Sequence, residues 1–419
     1  MKFLSDKDIV EFVNSHDYDV RKTGNARWID QKCTADVICI ISDCILNYYQ
    51  DNGDVEFTSR DIWYSKYSVD NIQNIFKKVD VESNSAENEY DKFFQQPMKL
   101  LSYAGILSET KRGRENIYKV VNNELLEHLA IRERNVLVFL NLYITKVLKD
   151  SDLYGVFDNF LNKQDKKSYD ILKESFYVFT KTYTEIGSKS SSNPDAGKTE
   201  CGRIFTKVIN PLSYARSAKG SERGSISKDV ISYDMLMYNR DNFRDIYSNK
   251  PKSVSRKDYL QQVKIKPNQA YYSYLSNKAK AFLKKFNNTY RQGLSEVYEE
   301  NEKNVAATQI HHIFPEGLFP TIAGYYENLI ALTPNQHLVY AHPKNKTQSI
   351  NEDYQYTCLV AKTSIIEENL SSDTTVKIYE FVKFLYVLKT GLSDDSYENI
   401  EENDYDGILT KLACSYNKL

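Results

Sequence analysis

Four of the six histidines in this 419-residue chain fall within one stretch, TQIHHIFPEGLFPTIAGYYENLIALTPNQHLVYAHP, running from Thr308 to Pro343. They are His311, His312, His337 and His342. Neutral imidazole accepts protons near neutral pH and is the commonest protein ligand for metal ions. A divalent ion held by imidazoles and left open on one side can bind a phosphate oxygen and a leaving oxygen. A further, unligated imidazole beside it can take a proton from water. Hydrolysis of a phosphodiester needs both parts. A His pair alone is ordinarily just two strand-end histidines, so the elements that carry these residues decide what they can do.

Residues 305–312 alternate loosely and end in the His pair, which predicts a short strand. Pro315, Gly317, Pro320 and Gly324 punctuate a loop. Asn328-Leu-Ile-Ala-Leu332 is a compact apolar strand. Thr333-Pro334-Asn335-Gln336 is a helix start, with Thr at the N-cap, Pro at the first helical position and Gln three residues after the cap. The predicted order is strand, loop, strand, helix, with histidines at the end of the first strand and on the helix.

This stretch, about a tenth of the chain, resembles the HNH, or ββα-metal, nuclease motif. The resemblance implies one divalent ion per site, Mg²⁺ first, with Mn²⁺ or another transition metal as alternatives. It implies His311 as a metal ligand, His312 as general base, Asn328 as the residue that ties the motif together and orients the base, and His337 as the helix ligand. The short spacing from Asn328 to His337 and the Thr-Pro helix start are similar to the colicin-type DNases. Those enzymes place a second helix histidine four residues after the first, whereas His342 lies five beyond His337. On an α-helix five residues turn through about 500°, leaving the two side chains roughly 140° apart. Pro343 also disfavours helical geometry at His342. Either His342 stands outside the ligand set, or the helix unwinds and it swings in as a third ligand; the α-helical geometry favours the first. Cys33, Cys39, Cys44, Cys201, Cys358 and Cys414 form no CxxC pair, so no structural zinc is expected.

Length and composition, with 41% hydrophobic and 27% charged residues, predict a globular chain of two or three domains. No apolar run approaches a membrane span, and the charged N-terminus has no signal-peptide core, so a cytoplasmic, prokaryotic protein is expected. The net charge of −2 excludes no nucleic-acid partner, because charge is unevenly distributed.

The expected fold is mainly α with small β elements: a winged-helix domain, a helical scaffold and a C-terminal ββα-metal module. Residues 1–30 form an N-terminal segment. Residues 31–121, helices followed by a basic Gly-containing hairpin, resemble the winged helix-turn-helix of DNA-binding proteins, which also serves as a protein-interaction module. Its candidate phosphate contacts are Lys111, Arg112 and Arg114, and Pro97 implies a kinked or late-starting recognition helix. Residues 122–187 are a helical bridge, with one helix over 123–150. Residues 188–303 form a basic region. Within it, 213–228 is expected as a loop, either phosphate-contacting through Arg216, Lys219, Arg223 and Lys228 or simply solvated. A Tyr-interleaved stretch adds Arg256, Lys257, Lys264 and Lys266. Residues 304–350 are the nuclease module. Residues 351–419 are C-terminal helices, one over 374–390, with an acidic segment.

A separate reader and cutter together look like a type II restriction endonuclease of the HNH class. Such an enzyme hydrolyses double-stranded DNA to 5′-phosphate and 3′-hydroxyl ends, and a two-fold site suits a homodimer. The alternatives are a homing or toxin-type DNase and a non-catalytic winged-helix regulator.

Overall fold

The computed structural model describes residues 3–76, 78, 81–82, 86–184, 186, 195, 197–238, 251, 253–254, 259, 269–342 and 350–418. The described chain is mainly helical, with three two-stranded antiparallel sheets. It divides into two compact units between Ile265 and Lys266. Among the described residues no helix is long and apolar enough to cross a membrane.

Unit 1 is built around helix α3 (Ala35–Asn52). Earlier elements are α1 (Asp6–Asn14) and α2 (Val20–Thr23). The run ADVICIISDCIL in α3 is apolar almost all round, and a helix of that kind must be enclosed on every side. Its neighbours are α6 (Ala86–Tyr103), α7 (Asn123–Ile131) and α8 (Glu133–Asp150). Between α3 and α6 lie α4 (Ser59–Trp63), started by a Thr58–Asp61 capping box, and α5 (Lys66–Phe76). Helix α6 runs through Pro97 and buries Phe93, Phe94, Met98, Leu100 and Leu101. Gly105, at φ 82°, ends it and turns the chain into strand β1 (Leu107–Arg112). Gly113, at φ 65°, makes the hairpin turn to β2 (Glu115–Val120). Phe57 adds a third, one-residue strand through paired backbone bonds to Tyr118 of 2.9 and 2.8 Å.

Two expectations for unit 1 are corrected. The helix over 123–150 is broken at Arg132, which is extended (φ −160°, ψ 154°), separating α7 from α8. Helices α9 (Tyr154–Lys163) and α10 (Lys166–Tyr183) follow, then α11 (Lys198–Ala215). The loop expected over 213–228 is mostly a hairpin, β3 (Lys219–Glu222) and β4 (Ser225–Val230). Its turn, Arg223-Gly224, has both φ positive (50° and 82°), which suits a two-residue primed turn. Asn210 on α11 acts as a substitute strand partner. Its amide oxygen accepts from Ser221 N at 2.8 Å, and its amide nitrogen donates to Ser221 O at 3.0 Å.

Unit 2 opens with α12 (Gln269–Tyr290), which packs on strands β5 (Gln309–His312) and β6 (Leu329–Leu332). The strands pair antiparallel, with His311 opposite Ile330 and His312 opposite Leu329. A π-helix, Gln336–Ala341, follows β6. Helices α13 (Glu352–Ser371), α14 (Phe381–Leu392) and α15 (Tyr405–Ser415) complete the unit. The helix expected over 374–390 is corrected to α14. Residues before it are held extended by Asn369, which donates to Val376 O (3.0 Å) and accepts from Ile378 N (3.0 Å).

Strand β6 is pinned from behind. The carboxylate of Glu296 accepts from Ala331 N at 2.8 Å and is paired with the Lys362 ammonium at 2.8 and 3.0 Å. Tyr379 OH stands 3.2 Å from the same ammonium. Both charges are essentially inaccessible to water, and a buried pair of this kind is tolerated only with such complete hydrogen bonding.

Candidate metal centre

Adjacent residues of a strand face opposite ways, so β5 sends His311 and His312 to different surroundings. His311 turns toward the π-helix. The ring centroids of His311, His337 and His342 are 5.2, 4.9 and 4.9 Å apart pairwise. One nitrogen from each lies within 4.8 Å of those of the other two.

This convergence corrects the expectation that His342 stands apart. The capping box at the helix start forms as the sequence implies: Gln336 N donates to Thr333 Oγ1 and Thr333 N to Gln336 Oε1, each at 3.1 Å. From Gln336 on, however, the helix is π rather than α. Its hydrogen bonds run from i to i+5, so each turn takes more residues than the roughly 3.6 of an α-helix, and a five-residue step brings His342 back toward the face of His337. His342 is the C-cap and has left helical geometry (φ −121°, ψ 68°), as the following proline requires.

The donor atoms fit a cation. His311 Nε2 and His337 Nδ1 are buried and have no hydrogen-bond partner within the protein, an arrangement that costs free energy unless something binds there. Burial, with the neighbouring histidines adding to it, lowers the proton affinity of His311 far below that of a free imidazole. His337 is lowered for the same reasons. Both rings are therefore neutral with lone pairs available at physiological pH, the form that ligates. The set is three imidazoles without a carboxylate, a donor set that suits zinc, nickel or copper better than Mg²⁺.

His312 faces α12 and the loop. Its Nε2 lies 3.0 Å from the Ala323 carbonyl and 3.2 Å from Ser276 Oγ. A carbonyl only accepts, so Nε2 carries the proton and Nδ1 keeps the lone pair. Ser276 Oγ in turn donates to Glu316 at 3.0 Å, and Ser273 Oγ reaches the other carboxylate oxygen at 3.2 Å. Burial, then the Lys280 charge, brings the His312 pKa down to about 4, against the opposing Ala323 carbonyl and Glu316.

Asn328 is fully buried, and its side-chain hydrogen bonds go to residues other than His312. Its side chain accepts from Phe314 N (2.8 Å) and donates to Phe314 O (3.0 Å) and Ile322 O (3.3 Å). It thereby closes the loop between the strands and fixes the segment that presents the Ala323 carbonyl. Asn328 acts on His312 through that carbonyl, as a positioning residue.

The cationic candidates belong to unit 1 or lie outside the described residues. Lys111, Arg112 and Arg114 are exposed around the β1–β2 turn, and Arg112 pairs with Glu56 at 2.8 Å. Arg216 ends α11 and is held by Asp158 (2.8 Å) and Tyr154 OH (2.7 Å). Lys219 is half-buried in β3, Arg223 sits in the β3–β4 turn, and Lys228 is exposed on β4. Arg256, Lys257, Lys264 and Lys266 lie outside the described residues. Three residues escaped the sequence reading as site residues: Ser276, Lys280 and Glu316. The available signal was the four-residue spacing of Ser276 and Lys280, which puts them on one face of a helix. Comparison with protein-family models, with curated proteins and with solved structures finds no match to this chain.

Proposed function

We propose that the chain is a metal-dependent DNA endonuclease of the HNH type. The observation that carries this reading is the pairing of a three-imidazole centre, two of whose buried nitrogens lack partners, with an adjacent imidazole held in a single tautomer. His311, His337 and His342 would hold one divalent ion. When bound, the ion supplies charge stabilisation for the phosphate and the leaving oxygen. The all-imidazole set shifts the expected metal from Mg²⁺ to a transition metal such as zinc, nickel or copper.

His312 Nδ1 takes the proton of the attacking water, while Ala323 accepts from the opposite nitrogen and keeps the ring from rotating. Incoming phosphate brings negative charge beside the ring and raises its proton affinity toward the range useful to a base. Lys280, half-buried and with its own proton affinity lowered by burial, puts a positive charge close enough to be felt by His311, His312 and His337. That charge draws phosphate in and offsets charge on it. The products are 5′-phosphate and 3′-hydroxyl ends.

In unit 1 the order of α3 to α6, the β1–β2 hairpin and the Phe57 bridge support a winged-helix reading, with Lys111 and Arg114 as phosphate contacts. A site-specific restriction enzyme, cytoplasmic and acting as a homodimer on a two-fold site, is the fuller form of the proposal. One observation favours a second reading of this unit. The N-terminal half of α6, where a recognition helix would meet bases, carries Glu87, Glu89 and Asp91. Glu89 is engaged by Lys32 and Lys78 and Glu87 by Arg60, so the face is compensated in part, but it offers no surplus of positive charge to a phosphate backbone and suits a protein partner, which would leave DNA contact to the wing alone.

The test is cleavage of supercoiled and linear DNA of differing methylation with Mn²⁺, Ni²⁺, Zn²⁺ or Mg²⁺ against EDTA, followed by sequencing of the ends. Metal-dependent cleavage that vanishes in His312→Ala supports the reading. Tight metal binding without cleavage of any DNA would make the centre structural and sink it.

A further inference from the structure

Unit 1 contains a cavity of about 790 Å³ between α8, α10, α11 and the β3–β4 turn. That volume lies within the range of small-molecule sites. Its lining holds six cationic side chains, Lys78, Lys173, Lys198, Arg203, Lys207 and Arg223, and one carboxylate, Glu222. The cations come from the segment after α5, from α10, from α11 and from the hairpin turn, so the fold and not one charged run gathers them. Some are locally offset: Lys78 pairs with Glu89, and Lys198 with Asp195 at 3.2 Å. Lys173 ties α10 to the turn through the Gly224 carbonyl at 2.6 Å. A concave wall of one sign focuses potential, and this one attracts anions.

Two backbone features point the same way. Helix α11 begins at Gly197, in left-handed geometry and without a side-chain cap, and its first-turn residues Lys198 and Thr199 line the cavity. Lys198 N is taken by Asp195 O at 3.1 Å, and the amides that follow it at the helix start favour phosphate. Gly202, inside the same helix, also lines the cavity, and a Cβ built on it meets nothing within 4 Å. Glycine in a helix interior is destabilising relative to alanine. Here that cost leaves open volume rather than relieving a clash.

The floor has different chemistry. Leu140, Pro211, Leu236 and Met237 are buried and apolar. Asn210, the amide at this wall, is already committed to Ser221. A ligand that satisfies both regions carries phosphate at one end and a flat apolar body at the other. We propose that the cavity binds a nucleoside phosphate, with the phosphate on the Lys–Arg rim and the base on the floor. The moiety comes either as a free nucleotide or as a nucleotide turned out of a DNA strand.

The experiment uses the full chain in EDTA, so that the histidine centre contributes neither metal nor cleavage. Calorimetric titrations with ATP, with dGMP and with inorganic pyrophosphate are compared for the native protein, Gly202→Leu and Arg203→Ala. Leucine is a good helix former, so Gly202→Leu fills the cavity without breaking α11, and circular dichroism checks this. In parallel, anisotropy compares a fully paired duplex with the same duplex carrying one mismatched base. Nucleotide binding that falls at least tenfold in both variants, while pyrophosphate binds more weakly than either nucleotide, supports a free-nucleotide site. Preference for the mismatched duplex, abolished by Gly202→Leu, supports a nucleotide drawn from a strand. Pyrophosphate binding as tightly as ATP and dGMP overturns the proposal in favour of a bare anion site. Binding unchanged by Gly202→Leu in both assays places the ligand elsewhere and also overturns it. None of these readouts depends on the endonuclease reading, which stands or falls on cleavage.

Discussion

His311 and His312 are neighbours in sequence, yet the alternation of a strand gives one to the metal centre and the other to the Ala323 carbonyl. His312→Ala should therefore reduce cleavage by about 10²–10⁴-fold, the usual contribution of a general base, and leave Mn²⁺ binding by calorimetry unchanged. Loss of metal binding in this variant would show that the faces are not separate. His337 and His342 make the complementary case. Their rings stand 4.9 Å apart, so His337→Ala and His342→Ala should lose metal affinity to a similar degree. Retention of most of the affinity in His342→Ala alone would remove it from the ligand set. That His311 and His337 would meet was legible in the sequence, because a strand ending in a His pair and a capped helix bearing a His are joined by a short second strand. The contact made by Asn328 was not. Nothing in a sequence says that its amide grips Phe314 and Ile322 and reaches the base only through a backbone carbonyl.

At the scale of elements, the misleading step was the assumed helix period. A five-residue spacing read with an α-helical ruler separates His337 from His342, whereas a π-turn brings them together. A π-turn is what an α-helix becomes when it accepts one extra residue. Deleting Val339, which is 55% exposed, should return the segment to α-helix with its histidines four apart and preserve Mn²⁺ affinity within about tenfold. Loss as complete as in His342→Ala would mean that the π-turn is indispensable to the centre. The β3–β4 hairpin was illegible for a different reason. Its sequence, KGSERGSISKDV, lacks an alternating apolar face, and its inward positions are Ser221 and Ser227, whose hydroxyls are satisfied by Tyr169 OH and by the backbone of Gly220 and Asp229. The β1–β2 hairpin was legible because Gly113 and the flanking basic residues mark its turn. Arg112 is engaged by Glu56, so Lys111→Ala and Arg114→Ala are the cleaner tests of the wing. Each should lower the log–log salt slope of DNA binding by about one unit per lost phosphate contact. Unchanged slopes would hand unit 1 to the protein-partner reading that Glu87 and Asp91 favour.

At the scale of the whole molecule, the two units should answer to different solution variables. The mainly helical class could be read from composition and periodicity. The division near Ile265 could not, since no proline- or glycine-rich linker marks it. Unit 1 carries a distinct acid-sensitive group, His128 on α7. Burial first, and then the nearby Arg132 charge, brings its pKa down to about 4. An unfolded chain would hold this imidazole near about 6.5. Between those values the unfolded state takes up a proton that the folded state refuses. The stability owed to neutral His128 is thus full above about pH 6.5 and is lost as pH falls toward about 4. Unit 2 carries the candidate metal centre, and a divalent ion bound there at about 100 times its dissociation constant would add about 2.7 kcal/mol to whatever must unfold to release it. His128→Gln should therefore flatten the dependence of melting temperature on pH between 6.5 and 4, while leaving the rise in melting temperature with added Mn²⁺ at pH 7.5 intact. His337→Ala should do the reverse at pH 7.5, abolishing the Mn²⁺ effect while His128 continues to titrate. Scanning calorimetry of both variants, with and without Mn²⁺, reads all four quantities. A His128→Gln protein that keeps the native acid dependence would show that another group controls it.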